Sequence, residues 1–267
     1  MSINEQQVAQ FREHGYTKAE RFFDEREVAA MQAEVRRWRD EGLLRNVTTE
    51  GDGETAASTA QNLQLIPISD HSRLFKALPF VDKVRQSVAK LIGEPFRLHL
   101  DQTFLKPART GRGTSWHQDN GYFKVENPMH GTAMWIAVHD ATETNGTIRL
   151  IPDAFDTPLE HSRDPMSNHH IRCYPDESEA EVIELPAGGV AFFCYGVPHA
   201  TGANNTDGDR AGVAFHFMRN EAVTQGPLHI GTELCEPHST FGKQEYGEDF
   251  RGVWETEVDR LAVAPAP

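Results

Sequence analysis

The chain has 267 residues, 38% hydrophobic and 25% charged. This predicts one large globular domain and excludes a mainly disordered chain. Forty Asp and Glu against 26 Lys and Arg leave a net charge of -14, which disfavours nucleic acid and anionic membrane surfaces as partners.

Three cysteines, Cys173, Cys194 and Cys235, form no CxxC pair. They predict free thiols in a reducing compartment, hence a cytoplasmic protein. The opening MSINEQQVAQ is polar and helical rather than signal-like, and no run of 18 apolar residues predicts a transmembrane helix. A small molecule is the expected partner; the oligomeric state is not legible.

In chain order, Asn4 with Gln7 predicts the cap of a short helix that carries Val8 and Phe11 and ends at Gly15. Asp24 and Glu27 predict a second cap. Val28, Met31, Val35 and Trp38 then recur at the helical period, and Gly42 closes that helix. Residues 46–62, rich in Gly and Thr, read as a mobile loop. A third helix is expected from Pro79, with Val81, Val84, Val88 and Leu91 as its buried stripe and Gly93 as its end.

From Pro95 onward the pattern changes to short β-rich runs at 96–106, 114–119, 131–140, 147–152, 181–185, 189–195 and 211–218. Many short strands with turn signals predict a sandwich or barrel. The gap at 153–180, rich in Asp, Pro, Ser and His, reads as a lid or insertion. The tail from Ala222 reads as irregular and ends in a disordered-looking AVAPAP.

Two histidines and one carboxylate on one face suit a redox-active iron that keeps its other positions open. A His-x-Asp pair on a strand puts both side chains on the same face, because strand side chains alternate. His117-Gln118-Asp119 offers such a pair, and His199 offers the distant third ligand. The pair alone is cheap: about one is expected by chance in such a composition, and His99-Leu100-Asp101 is another. Arginine spacing does not choose between them, since Arg210 follows His199 by the same interval as Arg172 follows His161.

Context does choose. His117 lies in SWHQDNGYF, where turn residues follow the carboxylate directly, and His199 lies in YGVPHATGANN, between an apolar strand and a Gly/Asn turn. His99 sits inside the uninterrupted run FRLHLDQTFLKP, so His99 and Asp101 read as a structural pair. His161, His169 and His170 fall in the expected lid and read as solvent-exposed, and Cys194 reads as a small buried residue. No GxxxxGK[ST], GxSxG, HExxH or CxxC motif is present. A zinc hydrolase and a non-catalytic metabolite-binding barrel are the rival readings of the same three ligands.

The ordered combination of WHQDNGYF at 116–123, Trp135 in MWIAVHDATETNGTIRLIPDAF, and PAGGVAFFCYGVPHATGANNTDGDR at 186–210 resembles the phytanoyl-CoA dioxygenase superfamily of Fe(II)/2-oxoglutarate oxygenases. The helical opening AQFREHGYTKAERFFDEREVAAM is similar as well, and the resemblance spans about residues 5–220. It implies a mainly β chain with flanking helices around a double-stranded β-helix, the jelly-roll or cupin-like core. One oxygenase domain over 1–267 is expected, with a mostly helical part at 1–95, the jelly-roll core at 96–220 and an extension at 221–267.

By position, the resemblance makes His117, Asp119 and His199 the catalytic iron ligands and Arg210 the anchor of the 2-oxoglutarate co-substrate, with Thr201 assisting. Gln118 and Trp135 fall where the family lines the co-substrate pocket. Asn120, Tyr122 and His216 are expected toward the substrate. An arginine suits the task, because its charged fork matches a carboxylate in bidentate fashion. Along AGVAFHFM, Gly212, Ala214, His216 and Met218 share the face of Arg210, while Val213, Phe215 and Phe217 pack outward. The implied activity is a dioxygenase using Fe(II), 2-oxoglutarate and O2, which hydroxylates or otherwise oxidises a C–H bond of a small polar metabolite or natural-product intermediate and releases succinate and CO2.

Overall fold

The computed structural model of the protein describes residues 1–222 and 243–262. The expected AVAPAP tail falls mainly outside them.

Helix α1 (Glu5–His14) is held by the reciprocal cap the sequence announces: Asn4 accepts from the Gln7 N–H, and the Gln7 side chain accepts from the Asn4 N–H. Gly15 ends it with φ +78°, a left-handed turn that glycine adopts freely. Strand β1 (Tyr16–Ala19) follows. Asp24 and Glu27 make the same reciprocal cap on α2 (Glu25–Asp40), which buries Val28, Met31, Val35 and Trp38. Strands β2 (Arg45–Asn46) and β3 (Leu63–Leu65) flank the segment expected to be a mobile loop.

That segment is instead tied down. Thr49 N–H donates to Met166 O, Gly53 N–H to Pro165 O, and Asn168 N–H to Val47 O. Gly- and Thr-rich composition flagged a missing helix or strand; it could not show that the backbone groups find partners more than a hundred residues away. Pro79 lies in a 3-10 turn between α3 (Arg73–Ala77) and α4 (Asp82–Ile92), so the expected third helix starts three residues later and has a separate short helix before it.

The β-rich half forms a jelly roll of two main sheets. Its strands are β4 (Phe96–Lys106), β5 (Thr114–His117), β6 (Gly131–Ala137), β7 (Ile148–Leu150), β10 (Glu181–Ile183), β11 (Val190–Cys194), β12 (His199–Thr201) and β13 (Arg210–Arg219). The large sheet runs β1-β11-β6-β13-β4-β3-β2 and the small one β10-β7-β12-β5; every pairing is antiparallel. A separate hairpin, β8 (Ser162–Arg163) with β9 (Ile171–Arg172), lies in the 153–180 insertion.

The outer face of the large sheet carries the core. Phe215 stacks on Phe75 at 6.4 Å between ring centres, and Phe75 meets Trp38 of α2 at 5.3 Å. Val213, Phe215 and Phe217 are fully buried there, as the alternation along β13 predicts. Burying each such side chain contributes about 1.5–3 kcal/mol. Beyond the barrel, helices α6 (Lys243–Tyr246) and α7 (Val253–Ala262) correct the expectation of an irregular tail. The indole N–H of Trp254 donates to Glu27 in α2, and Glu27 also pairs with Lys83 at 2.6 Å. Among the described residues no helix is long and apolar enough to cross a membrane.

Candidate metal and co-substrate site

His117 ends β5 and His199 begins β12, and the two are register partners in the small sheet. Their rings lie 4.2 Å apart, centre to centre. Each Nδ1 faces a backbone carbonyl two residues upstream: Ser115 O at 2.9 Å for His117 and Val197 O at 3.0 Å for His199. That contact fixes the Nδ1–H tautomer and leaves both Nε2 lone pairs free, the arrangement a ligating histidine needs. Burial pushes both imidazoles down to about 4, His117 further helped by its neighbour His199, so both are neutral at physiological pH.

Asp119 reaches the same point by a different route from the one expected. The strand ends at His117, and Asp119 has helical backbone angles, φ -56° and ψ -32°, at the start of the short helix α5 (Asn120–Phe123). The turn into α5, rather than strand alternation, carries its carboxylate back toward the histidines. Oδ1 lies 3.8 Å from Nε2 of His117 and 3.8 Å from Nε2 of His199. One ligand atom from each of the three residues falls within 4.8 Å of the others. Asp119 is 5% exposed, and its Oδ2 has no hydrogen-bond partner. A buried carboxylate beside two neutral, outward-aimed imidazoles is costly as it stands, and a divalent cation of the 2-His-1-carboxylate type satisfies all three.

The opposite end of β13 holds a feature that sequence reasoning missed. Lys106, at the end of β4, pairs in register with Arg210 at the start of β13. Both are 1% exposed. Lys106 Nζ donates to Thr201 Oγ1 at 2.6 Å, to Gly202 O at 2.5 Å and to Gly146 O at 3.2 Å. Arg210 donates to the same Gly146 carbonyl and lies with its guanidinium carbon 5.7 Å from the Trp135 ring centre.

Burial lowers Arg210 to about 10. Burial and then Arg210 itself push Lys106 well below its ordinary value. No carboxylate of the described residues forms an ion pair with either. Two adjacent buried cations without an acid favour a bound anion. The signal for Lys106 was a lysine ending a strand on the phase it shares with Gln102 and Phe104.

Thr201 and Trp135 stand between this cationic end and a cavity of about 540 Å³ that also contains the His117–Asp119–His199 group. Thr201 Oγ1 accepts from both Lys106 and the Thr114 N–H, at 2.6 and 2.9 Å, which leaves its proton to donate. Trp135 packs over Gly212; a Cβ there would lie 2.6 Å from the indole. Tyr122 and His216 line the cavity as expected of substrate-facing residues. Tyr122 Oη accepts from the Ile171 N–H, and His216, buried and held down to about 4 by that burial, places Nδ1 3.5 Å from Asp119 Oδ2.

The structure does not bring Gln118 or Asn120 to the cavity. Gln118 turns away from the cavity toward the insertion. It donates to Thr157 O and Gly196 O and accepts from the Leu159 N–H, fastening the insertion to the barrel. Asn120 exchanges two hydrogen bonds with the backbone of Val125.

His99 and Asp101 part company. The β4–β13 register slips opposite His99, so His99 joins the cavity wall while Asp101 accepts from Ile68 N–H, Ser69 N–H and Ser69 Oγ. His169 and His170 are also cavity residues, not solvent-exposed ones; His170 is 8% exposed. His161 Nε2 accepts from the Gln118 N–H. The corrections at His161, His169 and His170 follow from the insertion lying against the barrel rather than standing away from it.

Comparison with known proteins agrees with this geometry. The phytanoyl-CoA dioxygenase (PhyH) family model matches residues 11–212. The ectoine dioxygenase of Bordetella bronchiseptica (strain ATCC BAA-588 / NCTC 13252 / RB50) is 23% identical over 262 residues, covering 86% of this chain and 83% of that protein. The phytanoyl-CoA dioxygenase domain-containing protein 1 of Danio rerio is 25% identical over 186 residues, covering 66% and 64%.

Among solved structures, EctD from S. alaskensis with 2-oxoglutarate and 5-hydroxyectoine superposes with a TM-score of 0.65 at 22% identity, covering 82% of this chain and 77% of that one. The epimerase SnoN of nogalamycin biosynthesis, in complex with Fe3+, alpha ketoglutarate and nogalamycin RO, gives 0.67 at 20%, covering 80% and 83%. The matched span runs from the last turn of α1 through the jelly roll up to Gly212 and takes in the three clustered metal-type ligands and the buried cation pair: the chain belongs to the phytanoyl-CoA dioxygenase family of Fe(II)/2-oxoglutarate-dependent dioxygenases.

Proposed function

We propose that His117, Asp119 and His199 hold iron(II), that Arg210, Lys106 and Thr201 hold the far carboxylate of 2-oxoglutarate, and that the cavity beside them oxidises a C–H bond of a small organic molecule. The observation that carries this reading is the pairing of the two ends: a buried, orphaned carboxylate with two neutral imidazoles at one, and two buried cations without an acid at the other. A zinc hydrolase has no use for the second end.

Iron(II) with 2-oxoglutarate and O2 supplies the oxidising power when bound, giving succinate and CO2 as co-products. The chain supplies the rest. Arg210 and Lys106 neutralise and orient the anion, and Thr201 donates its one remaining proton to it. Trp135 and Phe193 line the wall near the histidines and keep that part of the cavity apolar and dry.

The wall beyond is built mainly from Ile66, Leu100, Phe104, Phe123 and Met218. Of the small polar metabolite and the natural-product intermediate that the sequence suggests, a substrate with an apolar body fits that wall better. We place the protein in the cytoplasm, supported by two buried free thiols, Cys173 and Cys194.

The test is anaerobic. Addition of iron(II) and then 2-oxoglutarate should produce a weak visible charge-transfer band, and admission of O2 should yield succinate. His117→Ala or His199→Ala should abolish both. Tight zinc that iron cannot replace, with hydrolytic turnover, would sink the proposal.

A further inference from the structure

The cavity wall differs in charge from the rest of the chain. The protein carries 40 acidic residues, yet among the described cavity residues the one carboxylate is Asp119, which the metal site engages. The remaining charge is a single cation, Lys124. It forms no ion pair among the described residues, unlike Lys18 elsewhere on the surface.

The backbone at Lys124 is unusual. It sits just past α5 with φ +56° and ψ +33°, the left-handed conformation that ordinarily selects glycine at this position of a helix end. The Lys124 N–H donates to Asn120 O, and the Asn120 side chain clamps both the N–H and the carbonyl of the next residue, Val125. Val125 is 3% exposed and anchors the turn against Tyr195 and Met218. A glycine would close this turn without strain. Retained strain at the edge of a cavity is a mark of side-chain use, and Asn120 holds that side chain's backbone at the cavity.

We propose that the substrate is an amphiphilic monoanion, a carboxylate on an apolar body, with Lys124 as the counter-ion of its head group and the Phe123–Met218 wall as the seat of its body. The inference rests on the dioxygenase reading and specifies its substrate. A cleft whose free charge has one sign attracts the opposite one. A single lysine matches one anionic group and not a polyphosphate carrier. Gln64 and Gln102, which also line the cavity, are bonded to each other at 2.8 Å, and besides Asp119 the one described cavity residue of fixed charge is Lys124.

The test uses matched probes with one body and three heads: 3-phenylpropionate, 3-phenylpropanol and 3-phenylpropylamine, and the octanoate, octanol and octylamine set. Binding is read anaerobically as a shift of the iron(II)–2-oxoglutarate band. If that band never forms in the wild-type protein, the dioxygenase reading fails. If it forms, the acids should bind tighter than the alcohols, and the amines weakest. Lys124→Gln should weaken acid binding about tenfold and leave alcohol binding alone, and Lys124→Arg should restore it.

Lys124→Gly should lose acid binding with unchanged or raised thermal stability, because it removes the strain. A merely structural lysine would show the reverse: lower stability and unchanged acid affinity. Acids binding no better than alcohols, or equal acid affinity in Lys124→Gln, overturns the proposal.

Discussion

Nδ1 of His216 lies 3.5 Å from Oδ2 of Asp119, the carboxylate oxygen turned away from the short contacts with His117 and His199. Oδ1 therefore faces the two ligating rings and Oδ2 faces a third, neutral one. His216→Leu should lower iron(II) or cobalt(II) affinity about 10- to 100-fold, the usual loss when a group that orients a ligand is removed. His216→Asn, whose amide nitrogen reaches about as far as Nδ1, should restore most of it. Metal titration followed by the cobalt absorption spectrum reads this directly; equal affinity in wild type and His216→Leu would assign the ring to substrate contact alone.

Arg210→Ala and Lys106→Met should each weaken 2-oxoglutarate while sparing much of the metal affinity. Loss of one side of a buried charge-assisted contact costs roughly 2–5 kcal/mol, about 30- to 5,000-fold in affinity. Titration of the charge-transfer band measures it, and an unshifted midpoint in either variant would move the anchor elsewhere.

The two His-x-Asp pairs should separate cleanly. His99→Gln should keep the metal and alter substrate handling, since His99 lines the cavity but lies outside the ligand group. His117→Gln should lose the metal and still fold. Metal content by mass spectrometry and far-ultraviolet circular dichroism decide this, and metal loss in His99→Gln alone would reverse the assignment.

Acid should destabilise the metal-free protein through its buried imidazoles. Burial holds His117, His199 and His216 near 4 in the folded chain, against 6.5 ordinarily. As pH falls below about 6.5 the unfolded chain takes up protons that the folded one refuses until about 4, so stability is full above that window and lost through it. Urea midpoints across the window should fall more steeply for wild type than for a His117→Gln/His199→Gln variant. Parallel curves would show that these rings do not govern the acid limb.

The sequence displayed what is local or ordered. The caps at Asn4 and Asp24, the outward phase of Val213, Phe215 and Phe217, and the grouping of His117, Asp119 and His199 all rest on short-range patterns or on the order of motifs along the chain. What depends on distant partners stayed hidden. Lys106 becomes an anion anchor because β4 pairs with β13 opposite Arg210. The slip opposite His99 reverses an alternation that looks regular in the sequence. Gln118 sits inside the motif, but its partners Thr157 and Leu159 belong to the insertion, whose position no spacing announces.

The pairing of His117 with His199 across two strands has a thermodynamic corollary. A metal held by both rings spans the β5–β12 seam, whose register already slips between His199 and Thr201. Metal held only in the folded state adds its binding free energy to folding. The same ion that readies the chemistry would then act as a rivet across an irregular seam, and chelation would loosen the barrel first at its active end, so that the lifetime of the fold and the supply of metal become one variable.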